Sequence, residues 1–356
     1  MIYIINSYQA PGIYLWIGDH VIPVRIMGAL LLAVTLPLAL RNSALVFLKP
    51  HAATDTIESF VRDHLSAAGI DIVDSGIKRA AEIADQKLID QHYGSLARIA
   101  MEDQPADLLL SDSSKETFAS NFGLDWSDAL PSVLRNDEAM SRLNVDGLAL
   151  EPMWRGGLQC KLAPGTYVSR LDGPDEPVYT LNGFYPAMRH SYVSPGAEVR
   201  WLVCEFDETA LSWQAFRREV IGATNPAEAS VGSCRAELLA RWEALGLPAA
   251  PTLAQNGVHA SAGPLEGLKE KLVWVGSTLD TDGFARALLG EAHVSRETLD
   301  GWLRDNPVVT LAGETDKIFD LTEECGTDQV LAQCAAEHSS VAPDGPYEYA
   351  PAEVVY

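Results

Sequence analysis

The chain has 356 residues, 47% of them hydrophobic, and a formal net charge of −23. A chain of this length and composition forms about two globular domains. Because nucleic acids and anionic membranes bind positively charged surfaces, this charge excludes non-specific binding to either, and we expect no nucleic-acid partner. The acidic residues concentrate in 101–150, with 10 against 3 basic residues, and in 277–356, with 16 against 4. Any site for an anionic ligand must therefore be a locally basic pocket.

The N-terminal segment, residues 1–43, is unusually apolar. Residues 26–40 form a run of fifteen uncharged residues, which is short for a membrane span but within the length of a signal-peptide core. The preceding residues carry no basic cluster that would complete a signal peptide. Three interpretations stay open: a membrane-associated segment over 21–40, a cleaved signal, or a packed or extraneous segment with an alternative start at Met27.

The following elements are predicted in chain order. A short apolar run over 44–48 ends at a proline and predicts a buried strand. Apolar spacing predicts a helix over 54–68, a turn and alternating strand over 69–75, and a helix over 80–93. Residues 101–194 break this rhythm, because they are first acidic and then rich in glycine, proline and aromatic residues. We interpret them as an insertion with short helices and paired strands.

After the insertion, an apolar run predicts a strand over 199–206, followed by a helix over 212–221 and a turn over 222–226. Pro264 stands where a first helical position is expected, and leucines then recur at helical spacing. Helices are also predicted near 295–304 and 327–337, and the last fifteen residues are expected to fray. This order favours an α+β fold over a doubly wound one. The chain contains neither a Gly-x-Gly-x-x-Gly motif nor a Walker-type phosphate loop.

The five cysteines form no metal-binding pattern. They are Cys160, Cys204, Cys234, Cys325 and Cys334, without a Cys-x-x-Cys pair or a histidine-rich neighbour. This spacing argues against a zinc site, and we expect no metal ligated by the protein itself. An odd, sparse set of cysteines is typical of a reducing compartment, so we expect a cytoplasmic location, with membrane association as the alternative.

The run from Asn256 to Ser261 contains the most informative residue, His259, with Glu270 eleven positions further on. Histidine is a nucleophile at neutral pH and can carry a phosphoryl group. A carboxylate bonded to one ring nitrogen leaves the lone pair of the other nitrogen free to attack. A single histidine in an irregular stretch is more often structural than catalytic, so the interpretation depends on what accompanies it.

Four segments, in order and with matching internal spacing, resemble the nucleoside diphosphate kinases. They are the strand end at Lys49, the segment Gln91-His92-Tyr93, the run 218–235 around Gly222, Thr224, Asn225 and Pro226, and the run 256–274 with His259, Glu270 and Trp274. The resemblance covers roughly 44–93 and 199–275. It implies a ferredoxin-like βαββαβ core with an antiparallel sheet and helices on its faces. That core would be discontinuous over 44–100 and 195–276, with 101–194 as an inserted subdomain and 277–356 as an acidic C-terminal extension.

The resemblance also implies a role for each site residue. His259 would carry the γ-phosphoryl group of a nucleoside triphosphate to a nucleoside diphosphate in a ping-pong reaction. The implied catalytic residues are His259, Glu270, Ser261 and Tyr93, and the implied nucleotide-binding and phosphate-binding residues are Lys49, Arg218, Thr224, Arg235 and Asn256. Mg²⁺ would be bound through the nucleotide phosphates rather than by protein carboxylates. A homo-oligomer is a further possibility.

The chain departs from the family pattern at several positions. The family's His-Gly-Ser-Asp is His259-Ala260-Ser261-Ala262 here, which removes a glycine and a carboxylate. Twenty residues separate Arg235 from Asn256, about twice the usual connection. These changes leave the acceptor and the base pocket open. The alternative to a phosphotransferase is a non-catalytic protein, built on the kinase fold, that binds or senses nucleotides or serves as a scaffold.

Overall fold

The computed structural model describes residues 2–5, 12–17, 20–24, 40–163 and 165–340. The chain divides into two compact units, one before Leu40 and one from Leu40 onward. In the first unit, three short strands form an antiparallel sheet in the order β1-β2-β3. The predicted apolar run 26–40 lies outside the described residues except for Leu40, and so does the possible start at Met27. The fraying predicted for the last fifteen residues also lies outside them.

The second unit alternates helices with strands, in a mixed α+β architecture whose sheets are mainly antiparallel. The strands of the described chain are β1 (Ile2–Ile5), β2 (Gly12–Ile17), β3 (His20–Val24), β4 (Asn42–Leu48), β5 (Asp71–Arg79), β6 (Val133–Leu134), β7 (Leu158–Ala163), β8 (Thr166–Leu171), β9 (Val178–Leu181), β10 (Glu198–Phe206), β11 (Val258–Ala260), β12 (Val308–Leu311) and β13 (Glu314–Lys317). The helices are α1 (Asp55–Ala67), α2 (Ala80–Asp85), α3 (Leu88–Met101), α4 (Asp112–Phe122), α5 (Trp126–Ala129), α6 (Asn136–Leu143), α7 (Gly147–Gly156), α8 (Tyr185–Val193), α9 (Trp213–Ala215), α10 (Cys234–Ala240), α11 (Pro264–Trp274), α12 (Gly283–Gly290), α13 (Arg296–Asp305), α14 (Ile318–Thr322) and α15 (Thr327–Ser340).

A four-stranded antiparallel sheet carries the predicted core elements. Its order is β11-β4-β10-β5, so the four strands stand fourth, first, third and second in chain order. The predicted strands over 44–48 and 199–206 and the predicted helices over 54–68 and after Pro264 are confirmed. Helix α1 begins after Thr54, whose hydroxyl accepts the Ile57 backbone N–H at 3.3 Å and caps the helix.

Strand β4 is central because both of its faces are covered. Ala44, Val46 and Leu48 pack into one cluster with α1, whereas Leu45 and Phe47 pack into another with α2, α3 and α11. Alternate residues of a strand point to opposite faces, so a continuous apolar run is the pattern expected for a strand buried on both sides.

The helix predicted over 80–93 differs from the prediction, because the structure has two helices there. Helix α2 ends at Asp85, and Lys87 adopts a left-handed conformation with φ of 51° before α3 begins. A left-handed residue cannot continue a right-handed helix, and this break turns α3 so that it contacts α11. The predicted strand over 69–75 also extends further, to Arg79.

The segment between α3 and β10 contains several helices and a second four-stranded sheet, in the order β6-β9-β8-β7. Strand β6 runs parallel to β9, and the other pairs are antiparallel. This sheet has an aromatic core of its own around Phe118, Trp126 and Tyr179. Helices and paired strands are the content predicted for 101–194, whereas the boundaries of that insertion stay a prediction.

The chain after α11 packs back onto α11 itself. Leu265 and Leu268 of α11 share an apolar cluster with residues of α12, α13, α14 and α15. The predicted helices near 295–304 and 327–337 are confirmed as α13 and α15. Helix α11 is therefore covered by the core sheet on one side and by the C-terminal helices on another. None of the helices described is both long enough and apolar enough to cross a membrane.

Candidate active site

The edge strand β11 positions His259. Its three residues pair with β4, with His259 opposite Phe47, and the imidazole stacks on the Phe47 ring at 4.6 Å between centroids. Gly257 precedes the strand with φ of +85°, and an added Cβ there would lie 2.6 Å from the Leu238 side chain. Only glycine fits this turn without strain, so Gly257 fixes the direction in which the strand begins.

Glu270 holds the imidazole from the neighbouring helix α11. Its Oε1 lies 2.5 Å from Nε2 of His259, and its Oε2 accepts the Ser261 hydroxyl at 2.6 Å. Both carboxylate oxygens are thereby fixed, and the carboxylate is almost completely buried. Among the residues that the structure describes, no group hydrogen-bonds to Nδ1 of His259. The pair predicted from a spacing of eleven residues is brought together, and one ring nitrogen stays available.

The electrostatic environment keeps His259 neutral. Burial holds the pKa of His259 well below its usual range, and the positive charges of Lys49, Arg235 and Arg217 lower it further. Burial also raises the pKa of Glu270 above that of an ordinary glutamate. When Glu270 is ionised, it accepts the Nε2–H proton, and the lone pair remains on Nδ1. The arrangement therefore provides a neutral, oriented nucleophile of which one fifth of the side chain is exposed.

His92, on α3, is a site residue that sequence analysis did not select. Its Nδ1 lies 3.6 Å from Oε1 of Glu270 and accepts the indole N–H of Trp274 at 3.4 Å. Its ring meets that of His259 edge to face, with centroids 4.6 Å apart. Burial, followed by the charge of His259, lowers the pKa of His92 to about 3. In the sequence, the only indication of His92 is that it adjoins Tyr93 in the segment Gln91-His92-Tyr93, which was selected for its tyrosine.

Lys49 and Arg235 are cations near His259 with no carboxylate partner in the described part of the chain. Lys49 makes one long hydrogen bond, 3.4 Å, to the Ala254 carbonyl. Burial, and then the charge of Arg235, lower the pKa of Lys49 to about 8. The guanidinium of Arg235 donates only to the carbonyls of Gly222 and Val258, at 2.7 to 3.3 Å. Lys49 is partly buried and Arg235 is buried. A buried cation without a counter-charge is costly, so this pair indicates a site for an anionic ligand.

Asn256 contacts the loop after Gly222. Its Nδ2 donates to the backbone carbonyl of Thr224 at 2.9 Å. Its buried Oδ1 has no hydrogen-bond donor within the described residues. A buried acceptor without a donor is rare, and a ligand hydroxyl would satisfy it. The side chain of Thr224 itself is exposed at the loop surface.

Tyr93 and Arg218 have hydrogen-bond partners other than His259 and Glu270. Tyr93 packs edge to face on His92, and burial raises the pKa of its hydroxyl, which hydrogen-bonds to Tyr192. Arg218 is exposed and donates from Nε and Nη2 to Glu324 at 3.1 and 2.7 Å. The neighbouring Arg217, which sequence analysis did not select, is the arginine of this segment whose charge acts on His259.

One group of side chains in the described residues could hold a metal ion: His92, His259 and Glu270, whose ligand atoms lie within 4.8 Å of one another. Two of the three ligands are nitrogen, and Nε2 of His259, Oε1 of Glu270 and Nδ1 of His92 already take part in hydrogen bonds. Mg²⁺ prefers several oxygen ligands, so this group does not form a magnesium cage.

Comparison with known proteins gives only distant likenesses. No family model and no curated protein matches the chain. Among solved structures, the nucleoside diphosphate kinase of Encephalitozoon cuniculi is 15% identical, with a TM-score of 0.33 over 68% of this chain and 92% of that one. An NDP kinase from Pyrobaculum aerophilum has the same identity and TM-score, with coverages of 68% and 98%. The Aquifex aeolicus nucleoside diphosphate kinase is 14% identical, with a TM-score of 0.31 and coverages of 68% and 100%. Likenesses at these identities and TM-scores do not indicate a function, so the function is inferred from the geometry of the site.

Proposed function

We propose that this protein is a phosphotransferase that carries the γ-phosphoryl group of a nucleoside triphosphate on His259 and passes it to a nucleoside diphosphate or a related acceptor. One observation carries the proposal: a neutral imidazole with a fixed Nε2 and a free Nδ1 lies near two cations, the partly buried Lys49 and the buried Arg235, that lack carboxylate partners in the described residues. An oriented nucleophile beside unpaired positive charge is what phosphoryl transfer requires. The strand order fourth-first-third-second supports a ferredoxin-like βαββαβ core beneath it.

In the first half-reaction, Nδ1 of His259 forms a bond to the γ-phosphorus while the bond from phosphorus to the β–γ bridging oxygen breaks. The nucleoside diphosphate leaves with that oxygen and its electron pair. The ring becomes cationic, and the carboxylate of Glu270 stabilises it through Nε2–H. The second half-reaction is the reverse, with a terminal phosphate oxygen of the acceptor attacking the phosphohistidine.

The other residues bind and neutralise the substrate. Lys49 supplies a point charge, and Arg235 has N–H groups left to donate beyond its two carbonyl partners. The unpaired Oδ1 of Asn256 is suited to a sugar hydroxyl. Thr224 is proposed to reach a phosphate oxygen from the exposed loop. Mg²⁺ bound to the phosphates would neutralise further charge.

Labelling with γ-³²P-ATP and Mg²⁺ tests the proposal. We expect the full chain to acquire a label that is stable to base and labile to acid, and His259→Ala to lose it. His190→Ala is the matched control, because His190 is exposed on α8 of the insertion and should keep full labelling. A label that persists in His259→Ala, or a wild-type protein that never labels, would contradict phosphoryl transfer. Nucleotide binding without labelling would instead indicate the non-catalytic alternative.

A further inference from the structure

The loop between α14 and α15, residues 323–326, lies against the chain that immediately follows His259. The backbone N–H of Glu324 donates to the carbonyl of Ala262 at 2.9 Å. At Gly263, an added Cβ would lie 2.5 Å from the carbonyl oxygen of Thr322 and 3.1 Å from Cα of Glu323. The C-terminal extension therefore brings this segment, here called the acidic loop, into direct contact with the active-site strand end.

The two glutamates of the acidic loop hold two neighbouring arginines. Glu324 accepts two hydrogen bonds from Arg218, at 3.1 and 2.7 Å, through both of its oxygens. Arg217 donates to Glu323 and lies 3.2 Å from Oε1 of Glu324. A two-oxygen anion facing a guanidinium is the geometry by which arginine also binds phosphate.

These arginines belong to the phosphate region by position. Both lie in the π-helical turns Phe216–Ile221, which lead directly into Gly222, whose carbonyl accepts from Arg235. The charge of Arg217 also lowers the pKa values of His259 and Arg235. Lys49 and Arg235 have no carboxylate partner in the described residues, whereas Arg217 and Arg218 are both occupied. Within the described residues, the carboxylates of the extension thus pair with Arg217 and Arg218 but not with Lys49 or Arg235.

We propose that the acidic loop competes internally with the substrate's phosphates for Arg217 and Arg218, and so sets the affinity of the site for nucleotides. The inference rests on the proposed function, because it takes the anion to be a nucleoside triphosphate. The side chain of Arg218 is mostly exposed, and those of Arg217, Glu323 and Glu324 are partly exposed. Solvent screens pairs that are not fully buried, so a polyphosphate can displace the carboxylates at modest cost. On displacement, both guanidinium groups become donors for the incoming phosphates.

The test compares the binding of a non-hydrolysable ATP analogue with Mg²⁺, by calorimetry, to the full chain and to variants. Glu323→Gln with Glu324→Gln removes both charges and keeps the side-chain length and the backbone bond to Ala262. The control, Glu297→Gln with Glu314→Gln, makes the same charge change at exposed positions of the same extension.

We expect the loop variant to bind the analogue about five- to tenfold more tightly and the control to differ less than about twofold. Adding Arg217→Gln and Arg218→Gln to the loop variant should abolish the gain. Equal binding by wild type and loop variant, an equal gain in the control, or binding too weak to measure in both would overturn the proposal.

The His259 label, followed separately, keeps the two proposals apart. A wild-type protein that labels, with no gain in the loop variant, would overturn only the role of the acidic loop. A gain in binding without any label would overturn only phosphoryl transfer.

Discussion

At the residue scale, the site depends on a carboxylate that is fully engaged. Glu270 contacts His259 with one oxygen and Ser261 with the other, so neither the carboxylate nor the imidazole can rotate freely. Burial opposes ionisation of Glu270 and raises its pKa. A protonated Glu270 would donate to Nε2 and move the ring proton to Nδ1, which removes the nucleophile. Under the proposed function, the charge of one buried carboxylate therefore determines whether His259 can react.

Phosphorylation of His259 should therefore depend on pH through Glu270. A carboxyl group ionises as pH rises through its pKa, so we expect the labelling rate to increase with pH up to the raised pKa of Glu270 and then to level off. The lowered pKa of His259 keeps the imidazole neutral over this range. Glu270→Gln should slow labelling on the order of 100-fold and abolish the rise with pH, as measured by rapid-quench labelling.

Glu237→Gln is the control for this experiment, because within the described residues the Glu237 side chain on α10 approaches only Arg241, the residue that follows this helix. It should retain both the rate and the pH profile of the wild type. An unchanged pH profile in Glu270→Gln would show that another group controls the nucleophile.

At the element scale, the close approach of α11 to β4 creates the site. Gly267 faces the strand, and an added Cβ would lie 2.8 Å from the carbonyl oxygen of Ser43 and 3.5 Å from the Ser261 hydroxyl. Glu270 follows one turn later on the same helix. Any side chain at position 267 would push the helix outward and carry the carboxylate away from His259.

Gly267→Ala should push α11 away from β4. Although alanine favours helices over glycine, the contact with the strand dominates here, and we expect a loss of about 1–3 kcal/mol in the free energy of unfolding with slower labelling of His259. Gly301→Ala on α13 is the control, because an added Cβ there meets no atom within 4 Å. It should be neutral or stabilise the protein by up to about 1 kcal/mol. Equal stability of the two variants in urea unfolding would contradict the packing argument.

At the scale of the whole molecule, a buried ion pair joins α11 to the residue that caps α12. Nζ of Lys271 lies 2.7 Å from Oδ2 of Asp282 and donates to the Ser43 hydroxyl at 2.8 Å. Asp282 also caps α12 through the backbone N–H groups of Phe284 and Ala285. Lys271 adjoins Glu270, so one helix connects the carboxylate that holds His259 to the start of α12.

Lys271→Met should destabilise the protein by about 3–5 kcal/mol in urea unfolding, because it leaves Asp282 buried without a counter-charge. In the double variant Lys271→Met with Asp282→Ser, the serine keeps a capping oxygen without the charge, and we expect most of that stability to return. Arg142→Gln, which removes an exposed ion pair with Glu176, is the control and should change stability by less than about 1 kcal/mol. A double variant less stable than the single one would contradict this account.

Much of the core follows from local pattern. The apolar run over 44–48, the helix after Thr54 and the helix beginning at Pro264 were predictable, because periodicity, capping and burial act between near neighbours in sequence. The pairing of His259 with Glu270 was expected from the resemblance, and the structure shows that the short strand β11 and helix α11 bring the two side chains together. What local pattern did not reveal was the break at Lys87, where a single left-handed residue divides one apolar helical pattern into two helices.

Only the tertiary structure shows which charges meet at the site. Arg217 and Arg218 are adjacent in sequence, and their directions depend on π-helical turns that ordinary helical spacing does not describe. Their carboxylate partners lie more than a hundred residues later in the chain, at Glu323 and Glu324. His92 likewise approaches Glu270 only because α3 packs against α11. Sequence pattern reports the environment of a residue along its own element, whereas its partners depend on how distant elements pack.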